Sequence, residues 1–291
     1  MSNSAAATSH RQVPRRRRLR LMVAAVLAAL IALATPAVGG AADAQPTTNT
    51  TTNTTKPTIV LVHGAWADGS GWNKVVARLQ DLGYPVRVPP NPLRSLPGDS
   101  ATIADFLSTI PGPIVLVAHS YGGAVITNAA TGNPDVKALV YVDAFAPKKG
   151  ETILPLVGAN SALNADPTTV FDFVPYPGAP AGDVDLYLQH QVFLKSFANG
   201  IPTRQANLLY AAQRPLAFSA GNEPSGVPAW KTIPSWYLVG TQDRIITPHS
   251  QRFMARRAHS TIVEVKAGHL SMISHPGAAT RLILRAVHVT T

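Results

Sequence analysis

Three side chains far apart in the sequence have the types and surroundings needed for acyl transfer: Ser120, Asp243 and His269. Ser120 sits in Ala118-His119-Ser120-Tyr121-Gly122-Gly123, directly after the apolar run Ile114 to Ala118. A sharp strand-to-helix turn needs small residues two before and two after a nucleophile. Ala118 and Gly122 fill those positions, with alanine in place of the usual first glycine. Such a turn lifts the hydroxyl beyond the strand end and aims the backbone N–H of Tyr121, at a helix N-terminus, toward the same point. A serine near a helix N-cap is common in itself, so the pentapeptide carries weight only with its partners. Asp243 lies in Thr241-Gln242-Asp243-Arg244 after the run Trp236 to Gly240, and His269 in Lys266-Ala267-Gly268-His269 after Thr261 to Val265. A hydroxyl, an imidazole to take its proton and a carboxylate to hold the imidazole's tautomer make an acyl-transfer site. A second oxyanion donor is expected from His63-Gly64-Ala65-Trp66, after Ile59 to Val62. Its source is the N–H of Ala65 or of Trp66, with His63 and Gly64 shaping the loop.

Each role has a rival. Asp143 follows the run Ala138 to Val142 and competes with Asp243 for the acid; its plainer role is a loop-shaping carboxylate. His275, six residues past His269, competes for the base. His119 adjoins the nucleophile but points elsewhere across a turn of this kind and serves packing or hydrogen bonding. His190, His249, His259 and His288 fall on helical stretches or their starts, as surface or capping residues. None of the nine histidines forms a His-Glu-x-x-His pair or another ligand spacing, so no metal is expected.

The elements that must position these residues alternate in type. Short runs at Ile59–Val62, Val86–Val88, Ile114–Ala118, Ala138–Val142, Trp236–Val239 and Thr261–Val265 are expected as strands, and the fully apolar, β-branched Ile59–Val62 is of the kind found in parallel strands covered on both faces. Helical spacing of Trp72, Val75, Val76 and Leu79 ends at Gly83. Further helices are expected over Ala101–Ser108, Ala124–Ala130 and His249–Ala258, and from about Gly277. Strand and helix in alternation give an α/β fold, a mostly parallel doubly wound sheet with right-handed crossovers. Ligands bind such sheets beyond the carboxyl ends of the strands, where Ser120, Asp243 and His269 each fall. The alternation lapses over about residues 147–231. This segment is rich in Pro and Gly and holds eight of the chain's fifteen Phe and Tyr residues. Helices are expected there near Asp183–Phe197 and Thr203–Gln213, and the segment is expected to form a helical lid insertion.

The His63-Gly64-Ala65-Trp66 loop, the His119-Ser120-Tyr121-Gly122-Gly123 elbow, the Gly240-Thr241-Gln242-Asp243 turn and the Ala267-Gly268-His269 loop together resemble the α/β-hydrolase superfamily over about residues 57–291. The chain is most similar to small lidded serine esterases of the branch that includes plant methyl esterases and hydroxynitrile lyases. The resemblance implies an eight-stranded mostly parallel sheet, a mechanism without cofactors and a small-molecule ester substrate. A hydroxynitrile lyase would use the same triad, but those relatives carry a lysine beside the base, where this chain has Leu270. The same triad could support a cofactor-free perhydrolase side reaction, and a non-catalytic binding module could retain the same fold.

Substrate contacts are expected from Trp66 and from lid aromatics, chiefly Phe171, Phe173, Tyr187 and Phe193, with Tyr176, Phe197 and Tyr210 nearby. The same rings could equally form the lid's own core. With no cluster of Arg or Lys facing them, they suit a small to medium, largely apolar ester.

Residues 1–44 join Arg11, Arg15–Arg18 and Arg20 to the uncharged Leu21–Ala34 and a small-residue exit at Ala42-Asp43-Ala44, the pattern of a secretory signal peptide. Fourteen residues fall short of the ~20 a membrane-spanning helix needs, so no stable anchor is expected. The expected destination is secreted or periplasmic, by either the general or the twin-arginine route. Residues 45–56 form a Thr-rich tract with nothing to bury, expected to be a disordered linker. Without residues 1–44 the formal charge of +10 falls to +5, scattered along the chain, which argues against a nucleic-acid partner. There is no cysteine, which excludes disulfides and thiol chemistry. Oligomeric state has no signature in the sequence.

Overall fold

A computed structural model describes residues 56–290, so the expected signal peptide and nearly all of the linker lie outside the described residues. The core is a six-stranded, wholly parallel sheet: β1 (Thr58–Val62), β2 (Val86–Arg87), β3 (Ile114–His119), β4 (Val136–Val142), β8 (Ser235–Gly240) and β9 (Thr261–Val265), in the order β2-β1-β3-β4-β8-β9. β3, β4 and β8 are buried almost throughout, which is why their sequences are continuous apolar runs and do not alternate. β2 has two residues and β9 is half exposed, so the sheet's edges are short or polar. The resemblance implied eight strands. β1 starts two residues into the described region, so any strand ahead of it would lie outside that region.

Helices α1 (Asn73–Asp81), α2 (Leu96–Ser108), α3 (Tyr121–Ala129), α5 (Pro248–Arg257) and α6 (Pro276–Thr290) flank the sheet. α1 turns Val75 and Leu79 inward and stops at Gly83, whose φ of +74° lets its N–H reach the Gln80 carbonyl. α2 begins five residues earlier than the apolar spacing predicts. Ser95 caps it by accepting from Gly98 N–H, and Pro97 is accommodated in the first turn, where no intrahelical donor is lost. Thr247 caps α5 in the same way, ahead of Pro248.

The chain runs outward in opposite directions from β1 and β3, so the loops after these adjacent strands flank the crevice at the switch point. Val62 pairs with Ala118, which sets His63–Ala65 beside His119–Ser120.

The segment between β4 and β8 differs from expectation. It carries a three-stranded antiparallel sheet, β5 (Phe171–Val174), β6 (Asp185–Leu188) and β7 (Leu216–Ala217), together with α4 (Thr203–Ala211) and short turns. The first part of the helix expected over Asp183–Phe197 is strand β6, because Asp185–Leu188 pairs residue for residue with Phe171–Val174. Phe193–Phe197 forms one π-type turn, closed by Ala198 N–H donating to the Phe193 carbonyl. Among the described residues no helix is long and apolar enough to cross a membrane.

Candidate active site

Ser120 occupies the first turn position after β3 with φ +53° and ψ −126°, a backbone conformation that a non-glycine residue adopts only when its surroundings enforce it. They do so from three directions. Ser120 N–H donates to the Val142 carbonyl on β4, while its own carbonyl accepts from Gly123 and Phe145 N–H. A Cβ at Gly122 would stand 2.8 Å from the His63 carbonyl oxygen and 2.9 Å from that of Val62. A Cβ at Gly64 would stand 2.6 Å from the Ser120 Cβ. The elbow and the loop after β1 therefore touch backbone to backbone, and both glycines are required by that closeness.

The structure brings the three expected side chains together. His269 Nε2 lies 2.9 Å from Ser120 Oγ, and His269 Nδ1 lies 2.7 Å from Asp243 Oδ2. All three are buried, with His269 fully so. A carboxylate only accepts, so the Nδ1 proton faces Asp243 and leaves Nε2 bare to accept from the hydroxyl. Burial lowers the His269 ring well below its ordinary value, which keeps it neutral, the form a base must have. Asp243 accepts four hydrogen bonds: Ile245 and Ile246 N–H on Oδ1, and Gln251 Nε2 and His269 on Oδ2.

Gln251 is a site residue the sequence reading missed. It is fully buried on α5, donates also to the Ile246 carbonyl and accepts weakly from Gly240 N–H. The one signal for it was a glutamine sharing a helix face with Met254 and Ala255.

His119 supports the base from behind. Its Nε2 donates to the His269 carbonyl at 2.9 Å, and its ring packs against the His269 ring at 4.7 Å between centroids. Burial and the neighbouring His269 hold it well below the usual histidine value. Phe197, delivered by the π-type turn, packs against His269, His119 and Trp66. The rivals stand elsewhere. His275 is exposed and bonded to Ser274. Asp143 is fully buried near the site but accepts one N–H, from Ser271, and its Oδ1 has no partner among the described residues. His190, His249, His259 and His288 are all exposed.

The two expected oxyanion loop donors are separated by their bonding. Trp66 N–H is committed to the Arg214 carbonyl at 2.8 Å, which corrects its place among the donors. Ala65 and Tyr121 N–H have no backbone acceptor among the described residues, and both residues line the cavity beside Ser120. Trp66 φ is +55°, and its indole N–H donates to the Leu186 carbonyl in β6, so this side chain ties the loop to the lid.

That cavity measures about 160 Å³ and is lined by seventeen residues without a charged side chain. Trp66, Phe171 and Phe173 line it as expected from sequence; Tyr187 and Phe193 do not. Tyr187 pairs with Asp172, on the strand face opposite Leu186, and in a strand successive side chains point to opposite faces. Leu186 therefore takes the place in the cavity wall that Tyr187 was expected to fill. Phe193 is fully buried among Phe197 and Tyr210, in the lid's own core. Phe145, Ile153, Leu154, Phe218 and Ile245 also line the cavity. They are apolar residues in loops or at the starts of one-turn helices, with no periodicity to mark them. Among the described residues no group of three or more His, Asp or Glu is placed to hold a metal.

Comparison with known proteins adds to this geometry. A family model described as the alpha/beta hydrolase family matches residues 59–281. Methylesterase 18 of Arabidopsis thaliana is 25% identical over 253 residues, covering 78% of this chain and 95% of that protein. A carbendazim-hydrolysing esterase of Nocardioides sp. (strain SG-4G) is 34% identical over 111 residues, which span 34% of this chain and 46% of that protein. Among solved structures, polyneuridine aldehyde esterase superposes with a TM-score of 0.66 at 20% identity, covering 79% of this chain and 98% of that one.

Proposed function

The chain belongs to the alpha/beta hydrolase family, and on that premise we propose that it is a serine hydrolase of small to medium, largely apolar carboxylic esters. The observation that carries this reading is the relay from Ser120 Oγ through His269 to Asp243, with spacings of 2.9 and 2.7 Å. Relatives named as esterases point the same way, toward ester hydrolysis.

In the proposed reaction, Ser120 Oγ passes its proton to His269 Nε2 as the oxygen attacks the ester carbonyl carbon. The Ala65 and Tyr121 N–H groups receive the charge that develops on the carbonyl oxygen, and Asp243 stabilises the imidazolium. The carbonyl re-forms, the carbon–oxygen bond to the alcohol breaks, and the Nε2 proton goes to the departing oxygen. Water, deprotonated by His269, then attacks the acyl-enzyme, releasing the acid and restoring Ser120 Oγ–H. The apolar cavity wall supports a neutral substrate, since a charge there would lose hydration with nothing to replace it.

The test is hydrolysis of a p-nitrophenyl ester by Ser120→Ala, a variant expected to fold normally and to lose turnover. Unchanged turnover would refute the assignment. Export is part of the same proposal: cleavage after Ala44 should leave a mature chain beginning at Gln45, readable by N-terminal sequencing of the exported protein.

A further inference from the structure

Eight large hydrophobic side chains are exposed among the described residues, and three of them, Leu154, Phe173 and Phe218, line the cavity over Ser120. They are 37%, 46% and 45% exposed and come from three separate stretches: the turn after β4, strand β5 and the residue after β7. Scattered exposed apolar residues need no explanation, but convergence at one mouth does. The mouth is also continuous with the floor. Trp66 and Phe171 stand with ring centroids 5.9 Å apart, and Phe171 and Phe173 at 6.3 Å, so a ladder of rings climbs from the loop after β1 to solvent. The enclosed part is small. Its volume of about 160 Å³ is close to that of a cavity of about 150 Å³ known to hold benzene. The cavity alone thus takes one ring-sized group and leaves the apolar rim above it unfilled.

Resting on the ester-hydrolase reading, we propose that the substrate class is a neutral ester with two apolar groups. One, about the size of a phenyl ring, enters the cavity, and the other lies against the rim of Leu154, Phe173 and Phe218. These three are specificity determinants: they strengthen ground-state binding of the outer group and take no part in the chemistry at Ser120.

The experiment compares methyl benzoate, which has one ring, with benzyl benzoate, which puts one ring inside and one on the rim in either orientation. Wild type should bind benzyl benzoate with a KM at least about tenfold lower. Covering the exposed half of a Phe side chain is worth about five- to tenfold in affinity, so Phe173→Ala and Phe218→Ala should each raise the benzyl benzoate KM by about that factor. Both should leave the benzyl benzoate kcat within about twofold and raise the methyl benzoate KM by a clearly smaller factor, and far-UV circular dichroism reports that the variants are folded. Phe253→Ala, 49% exposed in the wild type but away from the cavity, should change neither ester. Equal KM for the two esters in wild type, or an equal rise for both in the rim variants, would overturn the proposal while the hydrolase reading stands. Failure to hydrolyse either ester would overturn both.

Discussion

Asp143 and Asp243 stand at the ends of neighbouring strands, both fully or almost fully buried; burial raises both carboxyls, and the Asp243 charge raises Asp143 further. One negative charge suits this site better than two, and the hydrogen bonds decide where it resides. Asp243 accepts four, whereas Asp143 accepts one and has an oxygen with none. Charge therefore belongs on Asp243 and the shared proton on Asp143. Asp143→Asn copies the neutral acid in shape and should keep kcat within about threefold, because an amide oxygen can still accept from Ser271 N–H. Asp243→Asn would present an amide to His269 Nδ1, favour the wrong tautomer and lose about 10⁴ in kcat. Stability gives an independent readout. Burial raises the Asp143 carboxyl, so above the unfolded value of 3.8 the folded chain holds a proton that the unfolded chain has released. Its contribution to stability is full below that pH and is lost as pH rises toward the folded value, by about 1.4 kcal/mol per pH unit. His119 and His269, held neutral inside, act in the opposite direction below pH 6.5. The observable is therefore the difference between wild type and Asp143→Asn, measured by urea unfolding from pH 5 to 8. The variant should gain on wild type with rising pH, with at most that slope. A collapse of kcat in Asp143→Asn comparable to that in Asp243→Asn, or a pH-independent difference in stability, would refute the assignment of the proton.

Other perturbations test the supporting shell. Gln251→Leu removes the donor to Asp243 Oδ2 and strands the Ile246 carbonyl, and should cost about 1–3 kcal/mol of stability and lower kcat without changing KM, as steady-state kinetics and thermal melting would report. Gly122→Ala drives a Cβ against the Val62 and His63 carbonyl oxygens, and should destabilise by about 1–3 kcal/mol in denaturant titration. Trp66→Phe keeps a ring but loses the bond to the Leu186 carbonyl. It should cost about 1 kcal/mol and speed amide exchange in Asp185–Leu188, followed by hydrogen–deuterium exchange.

The reacting side chains were legible in the sequence because each of Ser120, Asp243 and His269 follows a parallel strand: β3 and β8 are buried and read as continuous apolar runs, and the half-exposed edge strand β9 reads as a short β-branched run. The residues that hold them were not. Gln251 reaches Asp243 only after α5 has folded back over the strand ends, and the contact of His119 with His269 joins positions 150 apart in sequence. The lid was the least legible. β6 is four residues long and takes its strand form from pairing with β5, a tertiary constraint that overrides local preference. Misreading that stretch as helix carried a further consequence, since period two in place of 3.6 exchanges Leu186 for Tyr187 at the cavity. Trp66 shows a similar limit, because its N–H is removed from the oxyanion donors by a carbonyl at Arg214 that no local pattern could foretell.

The most direct test is reaction with a fluorophosphonate, which captures an activated serine as a stable adduct. Tryptic mass spectrometry should find a single adduct, on the peptide containing Ser120, and His269→Ala should react more slowly by about a thousandfold or more. Adduct on a different residue, no adduct on the folded wild type, or equal rates with and without the imidazole would contradict the account.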